Sequence, residues 1–252
     1  MFLPPEAKNI LQILYAVYFL LYLNCQLKQL ALHVMSHTEL LDTFEVNGFT
    51  AKVYPSYCSL HPRKDYDNLG TLCLQQDRRH NLPYEADYPT GNPLELLGLL
   101  LYGADYEDPL YRYLDRKGLD PEADFSEAVK CLMRRVQKTK VLVPVFMYEH
   151  SGIALQAAVN TTPAGCLQGF IYADKALIQK EYASLNLHRA AAYKKAHEAL
   201  CAEVALYGYW LNGEVYTVDI HDAEGEFIQS FAGCIMPLHK LKNEVKTLLE
   251  QQ

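Results

Sequence analysis

Tyr148-Glu149-His150-Ser151-Gly152 sets a carboxylate, an imidazole and a hydroxyl in consecutive positions. In this set His150 is a candidate general base and Glu149 the acid that would orient it. Neighbours along an extended segment point to opposite faces, and catalytic triads draw their members from distant positions. The competing reading is therefore a hairpin turn. A second set lies in Pro62–Gly70, where Asp65 and Asp67 offer hard oxygen ligands of the kind Mg²⁺ or Ca²⁺ takes. Asp and Asn also nucleate turns ahead of a strand, and the spacing is not that of a calcium loop. Brought together at strand ends, Asp65, Asp67, Glu149 and His150 would suit a small metal-assisted hydrolase or nuclease.

A third set is electrostatic. Glu85 to Glu127 holds eleven carboxylates against three cations. That excess is larger than the net charge of −7 carried by the whole chain. Tyrosines are interleaved throughout, and Tyr offers a large contact area at low entropy cost. Asp105, Tyr106, Glu107, Asp108 and Tyr111 form the densest part and are the expected contact residues for a basic protein partner. Long-range attraction would speed such an encounter and fade in salt. The alternative is a solvated acidic face.

Several chemistries have no signature here. The chain lacks the phosphate-binding glycine loops, HExxH and GxSxG. Its seven cysteines are scattered, with no CxxC, which suits reduced thiols in a cytoplasm. Cys58, His61, Cys73 and His80 contain one close pair where tetrahedral zinc usually takes two. No resident metal and no cofactor is expected. The acidic balance argues against direct nucleic-acid binding.

These residues must be positioned by a folded body. The 252 residues are half apolar, enough for a substantial core. Alternation and β-rich composition predict strands at 49–54, 69–74, 141–148, 153–159, 167–173, 215–220 and 227–231. The run Val141–Tyr148 reads as buried on both faces, with Pro144 marking an edge or bulge. Caps and the 3.6 period predict helices from Asn92-Pro93, from Asp120-Pro121, from Asp174, from Asn186 to about Leu211, and from Pro237. The inner face of the long helix is expected to carry His197, Cys201, Val204, Gly208 and Leu211. His221 is expected in solvent at a hairpin turn. Strands and helices do not alternate, so the expected class is α+β: an antiparallel or mixed sheet with hairpins, packed against several helices. No Gly/Ser-rich linker interrupts residues 35–252, which therefore read as a single domain.

Residues 1–34 stand apart. Asn9–Leu27 is uncharged, and Ile13–Leu23 is a run of eleven apolar residues. A spanning helix needs about 20. This extension reads as a membrane anchor, as a docking helix, or as translated upstream sequence ahead of a start at Met35. A membrane association is expected only in the first case.

Four segments, in order, resemble a family of uncharacterised proteins carried by bacteriophages and integrative elements. They are Phe49–Leu72 with its DNLGT, Val141–Leu155 with its YEHSGI, Gly169–Tyr182 beginning GFIY, and Gly208–Gly233 with its LNGEVYTVDI and GEFIQS. Over Ala157–Leu167 the chain departs from the family, lacking the Trp and Asp of a Cys-Pro-Trp-Asp-Ser-Gly loop. The resemblance implies a mobile-element origin and a bacterial cytoplasm, and it brings no activity. The expected function is that of an accessory protein that binds a host or phage protein through its acidic, Tyr-rich stretch. The metal-assisted hydrolase is the alternative.

Overall fold

The computed structural model describes residues 39–56, 60–75, 87–149, 152–158 and 165–251, the side chains at 88–90 and 149 excepted. In chain order the first elements are β1 (Asp42–Val46), β2 (Phe49–Pro55), β3 (Thr71–Gln75), β4 (Tyr88–Thr90), α1 (Pro93–Tyr102), α2 (Glu107–Arg116) and α3 (Phe125–Val136). There follow β5 (Lys140–Glu149), β6 (Ile153–Ala157), β7 (Cys166–Asp174), α4 (Lys175–Glu181), a 3-10 turn at Ala183–Leu185, α5 (Arg189–Leu211), β8 (Val215–His221), β9 (Phe227–Ile235) and α6 (Leu238–Glu250). The class is α+β, with hairpins and helices packed on antiparallel and mixed sheets. Among the described residues no helix is long and apolar enough to cross a membrane.

The chain divides into two compact units, and the second interrupts the first: Leu60–Gly213 lies in sequence between residues up to Ser59 and Glu214–Gln252. An insertion of this kind needs no Gly/Ser-rich linker, so composition does not announce it.

The first unit is a four-stranded antiparallel sheet ordered β1-β2-β8-β9. The β1–β2 turn is Asn47-Gly48, both with positive φ, the chemistry that a two-residue hairpin demands. Leu241, Val245 and Leu249, spaced at i, i+4 and i+8, bring α6 onto Ala51, Val53, Val218 and Ile220. An ion pair from Lys242 to Asp42 ties the helix to the edge strand. It holds the Asp42 carboxyl below its ordinary value of 3.8.

The second unit is a five-stranded sheet ordered β4-β3-β7-β5-β6, antiparallel except for the β3–β4 pair. It has helices on both faces. Val141, Val143, Val145 and Met147 face α5, whereas Leu142 and the neighbouring Phe170 face the cluster of α1, α2 and α3. The expectation of a strand buried on both faces holds. β5 is not an edge: it pairs with β7 on one side and β6 on the other. Pro144 is accommodated because the β6 ladder ends at Val145–Ala157 and a bulge follows at Val145/Phe146.

Four local expectations are corrected. Asp120 does not start a helix: its carboxylate accepts from the amides of Glu122 and Ala123 in a turn, and α3 begins at Phe125. Asn186 does not cap α5: it is left-handed, with φ of 50°, and His188 Nδ1 accepts from the Ala190 amide instead. The buried stripe of α5 runs through Ala192, Ala196, Leu200, Val204, Tyr207 and Gly208, so Val204 and Gly208 face inward as expected and the other three expected residues do not. His197, Cys201 and Leu211 flank it and are half-buried. His221 is half-buried, its ring edge-on to Phe227.

Candidate functional site

The Pro62–Gly70 segment folds around one guanidinium. The Arg63 side chain is 1% exposed, and all five of its N–H groups are used. Nε and Nη2 grip Asp87 at 3.2 and 2.5 Å, Nη1 donates to Asn68 Oδ1 at 2.9 Å and Glu203 Oε2 at 2.7 Å, and Nη2 also reaches the Gly70 carbonyl at 2.5 Å. The carboxylates are equally engaged. Glu203 accepts from the amides of Leu69 and Gly70, and Asp87 from that of Leu72. Asn68 donates to the carbonyls of Pro62 and Tyr66. Burial alone would lower the Arg63 pKa, but its bonds to Asp87 and Glu203 outweigh burial and raise it. Close by, burial pushes the Cys73 thiol up to about 12. A charge buried in this way persists only when paired and hydrogen-bonded. A network with its donors spent on the protein has none to give a substrate. It fastens the segment before β3 to α5.

Sequence reasoning missed this network, though one signal was present. Glu203 is the only charged residue in Ala199–Gly213. A lone carboxylate buried in an apolar helical stretch must be paired or hydrogen-bonded.

Asp65 is exposed, and its carboxylate accepts from the amide of His61 at 2.6 Å, closing a turn as the turn reading expects. Asp67 is exposed as well. Glu149 ends β5, paired with Ile153. The Glu149 side chain and His150 lie outside the described residues. Among the described residues no three His, Cys, Asp or Glu side chains gather to hold a metal ion. The strand that follows this hairpin turn is clamped by Asn212. Its Oδ1 accepts from the Ile153 amide at 2.9 Å, and its Nδ2 donates to the Ile153 and Gly208 carbonyls at 2.5 and 2.9 Å.

The acidic stretch is divided by the fold into spent and exposed carboxylates. Asp87 belongs to Arg63, and Asp120 and Asp124 close the turn before α3. Asp105, Glu107 and Asp108 are exposed around the start of α2, where carboxylates suit the helix dipole. Tyr111, one turn on, is 49% exposed. Asp108 and Arg112 approach to 3.8 Å with both side chains largely in water, an arrangement worth little. Leu110 and Leu114 bury the opposite face. Tyr106 is half-buried and lies over Gly98, where a Cβ would come within 2.8 Å of its ring. Tyr102 and Tyr113 are also occupied, with the Arg135 guanidinium 5.5 and 4.2 Å from their ring centroids.

The first unit contributes a small apolar cavity of about 150 Å³ between β8, β9 and α6, lined by Val218, Phe231, Cys234, Leu241, Val245 and Leu248 among others. No protein-family model, no curated protein and no solved structure matches the chain.

Proposed function

We propose that this protein works by binding, as a phage or mobile-element accessory protein whose contact surface is the solvent face of α2. The observation that carries the reading is the division of the carboxylates: Asp105, Glu107 and Asp108 stay in water beside a half-exposed Tyr111, while the other face of the helix is buried. Asp87, by contrast, is engaged by Arg63. The partner is a protein with a basic contact surface, drawn from the bacterial host or from the phage, as the family resemblance suggests. Nucleic acid, itself an anion, is repelled by this face.

The test is affinity capture from host lysate at low and high salt. The triple substitution Asp105→Lys, Glu107→Lys and Asp108→Lys should abolish capture of a salt-sensitive partner without altering the circular dichroism spectrum. Tyr111→Ala should weaken it about tenfold, an aromatic anchor being commonly worth 1–2 kcal/mol or more. Capture that persists unchanged in the triple variant overturns the proposal.

A further inference from the structure

The corner where α4 meets α5 carries the opposite charge from the chain as a whole. From Lys175 to Lys195 there are five cations and one carboxylate, in a protein of net charge −7. Every residue from 183 to 191 is exposed. Three leucines stand in solvent here: Leu177 at 41%, Leu185 at 48% and Leu187 at 39%. Isolated exposed leucines need no explanation, but three within eleven positions, ringed by cations, do.

The corner is firmly built beneath these leucines. Ile178, Ala192 and Ala196 anchor it in the core on the α5 side of the sheet. Gln179 Nε2 donates to the Tyr193 hydroxyl at 2.5 Å, and Lys195 Nζ lies 5.9 Å from the Tyr182 ring centroid. These contacts hold α4 against the first turns of α5. The leucines and the exposed Lys180, Arg189 and Lys194, the last 3.9 Å from the also exposed Glu198, are thereby presented from one corner.

We propose that this corner docks on an anionic lipid surface. Its chemistry favours lipid over protein: protein interfaces are enriched in Arg and aromatics and depleted in Lys, and here the cations are mostly Lys and the apolar groups aliphatic. Lysine stems lie along the apolar layer while their ammonium groups reach lipid phosphates. Leucines enter the acyl boundary. Nucleic acid would use the cations and leave the leucines idle. The surface is separate from the α2 face, so either proposal can fail without the other.

The experiment is co-sedimentation of the full chain with vesicles of phosphatidylcholine, with or without an equal part of phosphatidylglycerol. The expected result is binding to the anionic vesicles that weakens in high salt. Two full-chain variants, Lys180→Glu with Lys194→Glu and Leu185→Asp with Leu187→Asp, should each reduce it at least about tenfold with an unchanged circular dichroism spectrum. Equal binding to neutral vesicles would assign any association to the apolar segment Asn9–Leu27 and overturn the proposal. So would indifference to both variants, absence of binding, or retention on an acidic polypeptide that survives the leucine substitutions.

Discussion

Arg63 shows how one side chain can dominate local energetics. Its five donors meet two carboxylates, an amide oxygen and a carbonyl. Deleting the cation strands Asp87 and Glu203 in a poorly solvated site. Arg63→Met should therefore cost about 3–5 kcal/mol of stability, as breaking one side of a buried pair generally does, read by urea denaturation. Arg63→Lys should recover only part of this, because an ammonium cannot reproduce the fork on Asp87. Cys73 makes a second case. Its thiol is pushed up to about 12 by burial first and by the Asp87 charge second. The native state thus holds this proton more tightly than the unfolded chain does. That contribution is complete below pH 9 and is lost as pH rises toward 12. At pH 8 iodoacetamide should label the exposed Cys166 readily and leave Cys73 untouched until the protein unfolds.

Among the elements, β6 and α5 are joined by a device that rests on one amide. Asn212 satisfies both the N–H and the C=O of Ile153 and also takes the last-turn carbonyl of Gly208. Asn212→Ala should destabilise by about 1–3 kcal/mol through the unpaired backbone groups it leaves, measurable by thermal denaturation. Gly70 serves a similar joint between β3 and α5. A Cβ there would strike Leu200 and Ile171, so only glycine allows the Glu203 carboxylate to reach the backbone amides. Asn68, Leu69, Gly70 and Asn212 thus each serve a joint of the fold. α2 is the contrasting element, with its polar face left open.

For the molecule as a whole, a strand's place in its sheet sets its protection. β7 is paired on both sides and buried on both faces, with Phe170 in one core and Ile171 in the other. β9 is a sheet edge among the described residues and begins with exposed Phe227 and Ile228. Native-state hydrogen exchange should find the slowest amides in β7 and much faster ones along the outer side of β9. Equal protection of the two strands would contradict this ordering.

Much of the architecture was legible from periodicity alone. The strands Val141–Tyr148 and Val215–Ile220, the helix after Asn92 and the C-terminal helix are all patterned by local hydrophobic spacing and caps, which act within a few residues. β1 was legible in principle, through Asn47-Gly48 ahead of the strand expected at 49–54. α2 was hidden by its charge and by Pro109, which the first turn of a helix tolerates. The distribution of charges was not legible. Eleven carboxylates look alike along the chain, and only folding decides that Asp87 meets a guanidinium while Asp105, Glu107 and Asp108 stay in water. Arg63 and Glu203 are 140 positions apart. No local rule couples residues at that distance, because their pairing depends on how the segment before β3 and the helix α5 pack on one sheet. The chain alone dictated which residues seek the interior and which local elements they form. Tertiary packing chose the partners of the buried charges, and with them the carboxylates left in water.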